Sequence, residues 1–164
     1  MPAASISDPQ AFARFYDDAL PRIYGYFLHR CGGAASTAEE LTQETFVAAV
    51  TELRKGRHVD APLPWLYGIA RHKLLDHYRR EGRRREASAP FTDVPVEDSD
   101  ERSRVLVALG ALPETQRAAL VLRHLEGLSV PELAAVLGRS VEAAESLLAR
   151  GRIQFKRAYL EEAS

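Results

Sequence analysis

The chain has 164 residues, a net charge of −1 and a single cysteine, which rules out an internal disulfide and a cysteine-rich zinc site and fits a reducing cytoplasm. With 46% hydrophobic residues it has core material for one domain or two small ones. Near-neutral charge argues against a strong free-standing DNA binder, and no apolar run approaches the roughly 18 residues of a membrane span.

The start, Met1-Pro2-Ala3-Ala4-Ser5, lacks the basic and apolar regions of a signal peptide. Asp8-Pro9 opens a helix, as an N-cap followed by proline at the first helical position. Phe12, Phe15, Tyr16, Ala19, Leu20, Ile23 and Phe27 follow at helical spacing. Pro21 is expected to kink or break this helix, and Gly32-Gly33 to end it. Ser36-Thr37-Ala38-Glu39 reads as a capping box for a second helix that stops at Gly56. Its inward positions are Leu41, Phe46, Ala49, Val50 and Leu53; Glu39, Glu40, Gln43 and Glu44 stay outside. That acidic face is either plain helix N-terminal chemistry or a docking surface for a basic partner.

Residues 57–64, with Arg57, His58, Asp60 and two prolines, read as a stiffened loop. A third helix follows from Trp65, with Leu66, Ile69, Ala70 and Leu74 as its buried face. Residues 71–85 hold seven Arg/Lys against two acids, including Arg71, Arg79, Arg80 and Arg83. Trp65, Tyr67 and Tyr78 are interleaved with these charges, a pattern that suits phosphates and unstacked bases of single-stranded nucleic acid. His72 and Asp76 are four apart, but no further ligand cluster accompanies them, so no metal site is expected.

Residues 86–103 hold six acids and one basic side chain and read as a disordered linker. Fully extended, the segment reaches roughly 60 Å, so the flanking halves need not touch. A helix resumes near Asp100, with Val105, Leu106 and Leu109 inward. Leu112-Pro113-Glu114 starts another, with Ala118, Val121, Leu122 and Leu125 facing the core and Gly127 at its end. Ser129 to Leu148 then reads as helix, tight turn, helix. Ser129 and Glu132 form a capping box, Pro131 lies in the first turn, Gly138 takes the turn, and Ser140 caps the second helix. Leu133, Ala134 and Leu137 on the first helix face Val141, Ala144, Leu147 and Leu148 on the second. An ordinary helical hairpin would carry the same caps; a DNA-binding helix-turn-helix would place the second helix in a major groove.

Four stretches in order resemble the extracytoplasmic-function group of bacterial sigma factors, and the likeness covers about residues 10–160. Glu39 to Phe46 resembles the polymerase-docking helix of sigma region 2. Pro64 to Arg71 resembles the promoter-melting segment, and the basic tail after it the minus-ten-reading helix. Leu109 to Arg117 resembles the start of region 4, and Leu128 to Arg152 its helix-turn-helix. The resemblance implies an all-α fold of two small helical domains, residues 1–85 and 104–164, joined by the flexible acidic linker 86–103. It implies a cytoplasmic transcription initiation factor without catalysis, small-molecule substrate, cofactor or membrane insertion. Its partners would be core RNA polymerase, promoter DNA and an anti-sigma factor, which could hold it at the membrane.

Carried onto this chain, the resemblance gives Glu40, Gln43, Glu44 and Phe46 to polymerase docking. The minus-ten element falls to Arg57, His58, Asp60, Trp65, Arg71, His72, Arg79, Arg80 and Arg83. The minus-thirty-five element falls to Arg139, Ser140, Glu142, Ala143, Ser146, Arg150 and Arg152. Two departures stand out: His72 occupies a position often held by Asn, and the recognition helix carries Glu142 and Glu145 where basic residues are common. Two other classes share some of these features. A stand-alone helix-turn-helix repressor would bind duplex DNA tightly without polymerase. A metal-dependent nuclease would need converging carboxylates, whereas Glu39, Glu40 and Glu44 lie on one outer face.

Overall fold

The computed structural model describes residues 6, 8–31, 34–84 and 100–162, with the side chains of 83, 84, 100, 102, 103 and 162 left aside. Among these residues the elements are helical: α1 Pro9–Arg30, α2 Ala35–Arg54, α3 Pro62–Arg84, α4 Asp100–Gly110, α5 Glu114–Leu120, a π-helical turn Val121–Leu125, α6 Val130–Leu137 and α7 Val141–Glu162. The anticipated all-α fold is observed.

Asp8 caps α1 by accepting from the Ala11 N–H at 2.8 Å. The helix does not break at Pro21; it runs on to Arg30. Pro21 faces solvent, and the packing of Ala19, Ile23 and Phe27 on either side outweighs one missing hydrogen bond. The anticipated end at Gly32-Gly33 lies outside the described residues; Cys31 caps the helix. The capping box at Ser36–Glu39 does not form. α2 starts at Ala35 with Ala34 as an N-cap that makes no side-chain bond, so Ser36 already lies inside the helix. Buried Thr42 and Thr45 donate back to the Ala38 and Leu41 carbonyls at 2.6 and 2.7 Å, which satisfies their hydroxyls within the core. Gly56, at φ 84°, turns the chain after α2.

The loop that follows is shorter than anticipated, because Pro62 and Pro64 lie in the first turn of α3. Tyr67 is buried rather than available to a base, joining Leu66, Ala70 and Leu74. Tyr26 is buried as well, and meets Tyr67 edge to face with centroids 5.6 Å apart. α2 packs on both α1 and α3.

In the C-terminal half, α4 and α5 pack on α7. Buried Gly151 makes the α5 approach possible: a Cβ there would lie 3.3 Å from Leu120 Cγ and 3.4 Å from the Gln116 carbonyl oxygen. The π-helical turn shifts the register after Leu120 and leaves Leu125 57% exposed, not facing the core as expected. The helix-turn-helix forms as read. Ser129 accepts from the Glu132 N–H and Glu132 accepts from the Ser129 N–H. Gly138 takes φ 64°, and Ser140 caps α7 by accepting from the Ala143 N–H at 3.1 Å. Ala144, Leu147 and Leu148 are buried as expected, but Val141, in the first turn of α7, is 38% exposed.

The two halves do touch. α3 packs against α6, contrary to the freedom that linker length alone would allow.

Candidate polymerase and promoter interfaces

Glu40 and Gln43 are exposed and Glu44 half-buried along one face of α2. Phe46 is not on that face. It lies beneath the helix, 6% exposed, with Tyr16 edge-on at 4.8 Å between centroids. Its role is to hold α2 in place. Glu44 also borders Lys73, Asp76, Arg79 and Arg80 of α3 across a shallow groove, so the acidic face of α2 and the basic helix meet there.

The residues that the resemblance gives to the minus-ten element divide into an open and a covered group. Arg57, His58 and Asp60 are exposed in the short loop before α3, where His58 Nε2 lies 2.8 Å from Asp60 Oδ1 and Arg57 reaches Glu52 at 3.5 Å. His72, Arg79 and Arg80 are exposed, and Arg79 meets Asp76 at 3.1 Å. The Arg83 side chain lies outside the described residues. Trp65 is partly buried against the core. Tyr78, expected as a stacking ring, instead donates its hydroxyl to the Arg30 carbonyl at 3.0 Å.

Arg71 is covered. Its side chain is 13% exposed, and Nη2 meets Glu114 Oε2 of α5 at 2.9 Å. Glu114 also faces Arg30, itself 1% exposed, at 3.8 Å. A second anchor lies at Glu126, which accepts from the Tyr67 hydroxyl at 2.5 Å, while its carbonyl accepts from Arg22 at 2.9 Å. Burial raises the Glu126 carboxyl above its ordinary pKa, with the Tyr67 hydrogen bond and Arg22 pulling the other way. Burial, the Glu126 hydrogen bond and its charge raise Tyr67 in turn. A cleft of about 640 Å³ separates the loop before α3, Trp65 and His72 from Ala135 to Gly138 at the end of α6.

Tyr26, Arg30, Tyr67, Glu114 and Glu126 lie at this join; the sequence pattern offered Tyr67 to a base instead, and gave no functional role to the other four. Tyr26 and Arg30 continue the helical spacing of Ile23 and Phe27, as Tyr67 does that of Leu66 and Leu74, so their burial was legible in the period. Glu114 and Glu126 had no such signal, since acids near helix ends are ordinary.

On α7, Glu142, Ser146 and Arg150 are exposed on one face with Ala143 at its edge, and Arg139 and Ser140 are exposed in the turn before it. Arg150 reaches no farther than its own helix, donating to the Ser146 carbonyl at 3.4 Å. Arg152 does not join this face. It borders an apolar groove with Phe155, Val105, Leu109 and Leu125, near His124. Two residues along a helix from Arg150 points well away from it.

Residues 15–84 match the family model for sigma-70 region 2, and residues 102–155 that for sigma-70 region 4. The ECF RNA polymerase sigma factor SigF of Caulobacter vibrioides is 33% identical over 79% of this chain and 74% of its own length. This chain belongs to the ECF RNA polymerase sigma factors. BldN of Streptomyces coelicolor, in the same family, is 35% identical over 88% of this chain, which spans only 58% of that relative's length. Among solved structures, CnrH in complex with the cytosolic domain of CnrY aligns with a TM-score of 0.69 and 28% identity, over 96% of this chain and 92% of that one. Family membership accounts for the order of the matched stretches: region 2 in α1–α3, then region 4 in α4–α7. Among the described residues no helix is long and apolar enough to cross a membrane.

Proposed function

We propose that this sigma factor binds core RNA polymerase and directs it to specific promoters, acting without catalysis of its own. The observation that carries the reading is the pairing of a region 2 match with a region 4 match whose helix-turn-helix presents an open second helix. In this reading residues 1–85 dock on polymerase through Glu40, Gln43 and Glu44, with Phe46 supporting them from below. The loop after α2, with Trp65, His72, Arg79 and Arg80, reads and helps melt the minus-ten element. Extruding a base there costs a few kcal/mol, which loop contacts and stacking would offset. Residues 104–164 read the minus-thirty-five element through Arg139, Ser140, Glu142, Ala143, Ser146 and Arg150. Arg152, off that face, is left to another contact. The acidic segment 86–103 joins the two units and threads through polymerase toward the RNA path. CnrH is solved with the cytosolic domain of CnrY, and by the same likeness an anti-sigma factor would hold this chain in the cytoplasm or at the membrane.

Run-off transcription with core polymerase on a genomic promoter library tests this. A defined set of promoters should be transcribed only when the chain is present. Gln43→Ala with Glu44→Ala should weaken core binding while helicity and melting stay intact. A chain that fails to bind core polymerase, or binds promoter duplex as tightly without it, would be the repressor instead.

A further inference from the structure

The buried apolar cluster runs without a break from α1–α3 into α4–α7. Beside it, between α1 and α4, lies a cavity of about 330 Å³. Gly25 of α1 forms part of its wall, and a Cβ there would meet nothing within 4 Å. A glycine inside a helix is unfavourable against alanine, and packing does not require this one. Its lack of a side chain keeps the cavity open.

The two walls differ in chemistry. Val105, Leu106 and Leu109 of α4, with Val121 and Leu125 of the π-helical turn, make one wall apolar. Arg22, His29 and Arg30 make the α1 side basic. Glu126 is the acid among the lining residues, and its carboxylate already accepts from the Tyr67 hydroxyl. The Glu126 carbonyl accepts from Arg22 Nη2 at 2.9 Å, which takes one of the five N–H donors of that guanidinium and fixes it at the cavity. Tyr26 lines the cavity too, and its hydroxyl is buried with no hydrogen-bond partner among the described residues, where buried polar groups are normally paired. We propose that this cavity binds an amphipathic anion, an acyl chain ending in a carboxylate, with the head at Arg22 in the positive field of Arg30 and the chain along α4.

A few convergent polar groups on mostly apolar walls are the usual build of a small-molecule site. A bare phosphate would set charge against the α4 wall, and a neutral hydrocarbon would leave the basic side unanswered. Val105, Leu109, Val121 and Leu125 also border the second groove, of about 370 Å³, which reaches Phe155, so the apolar floor continues under a longer chain.

The test is calorimetric titration of the full chain with decanoate below its micellar range. Decanol and decyltrimethylammonium carry the same tail without the anionic head. Decanoate should bind and raise the melting temperature, as a ligand of the folded state does. Decanol should bind about tenfold more weakly, and the cation more weakly still. Gly25→Leu fills the cavity and should abolish binding while circular dichroism shows helicity retained, since leucine is the better helix former. Arg22→Gln should weaken decanoate about tenfold and leave decanol unchanged. Arg152→Gln makes the same change of charge beside the second groove and should leave both unchanged. If Gly25→Leu loses its fold, Leu106→Asn on the facing wall must weaken decanoate and decanol together. Absence of decanoate binding, or equal binding of the three probes, overturns the proposal. So does binding that survives Gly25→Leu, which is adsorption to exposed apolar residues such as Leu125. Equal weakening by the two arginine variants overturns it as well, because overall charge rather than a placed head would then decide affinity.

Discussion

Arg71 on α3 and Arg150 on α7 are both arginines assigned to DNA, and they stand in opposite conditions. Arg71 is held at 2.9 Å by a carboxylate from a helix more than forty residues away, whereas Arg150 is exposed and donates to the Ser146 carbonyl of its own helix at 3.4 Å. Whether a charged side chain on a helix stays open is set by what packs over that helix, not by the helix itself. α7 lies with one side on α4, α5 and α6 and leaves the other side free. α3 has α2 on one side and α6 on another, and its more basic end escapes cover only past Arg71.

The largest effect is expected where the C-terminal half is most closely packed. Gly151→Leu would drive a side chain into Leu120 and the Gln116 carbonyl, and overpacking at such a site should cost about 3 kcal/mol. Urea denaturation monitored by circular dichroism would read it. A variant as stable as wild type would show that α5 can draw back from α7, and that this half is looser than its contacts imply.

On the open face, Glu142→Ala should relax one upstream promoter position and cost about 1–3 kcal/mol at the preferred base there. Arg150→Ala should weaken all promoters alike and flatten the salt dependence. A promoter-library selection distinguishes them. If Glu142→Ala leaves every upstream position equally constrained, Glu142 is a solvated surface acid. If Arg150→Ala changes sequence preference, the division between positioning and reading fails.

Cys31 offers a smaller test on the covered side. Burial pushes its thiol up to about 11, with Arg30 opposing, so the thiolate is scarce at neutral pH. Alkylation of the native chain should be slow at pH 7 and become fast in denaturant. Fast labelling in the native state would mean that the end of α1 opens readily.

The smallest effect concerns His124, beside the groove that Arg152 borders. Burial, then the Arg152 and Arg123 charges, lower its pKa. A histidine whose folded pKa is depressed adds stability above its ordinary value and loses it as pH falls through the depressed one. Melting temperature should therefore decline slightly on acidification through that window, and His124→Gln should remove this part of the decline. An unchanged pH profile in the variant would show that burial and the two arginines together leave His124 undepressed.

The helices and most of their ends follow from local sequence, because caps, prolines and glycines act within a few residues. Asp8, Ser129 with Glu132, Gly138 and Ser140 each do locally what their spacing demanded. The capping box at Ser36 failed because the helix opens two residues earlier, at Ala34, without a side-chain cap. The family, too, was legible, since its four stretches are contiguous runs in a fixed order. Which groups are covered depends instead on how the helices pack. Tyr67, Arg71, Glu114 and Glu126 are ordinary polar residues in their own helices, and their meeting depends on how two distant halves pack. No local pattern encodes that meeting, because each side chain is compatible with water until the opposite half displaces it.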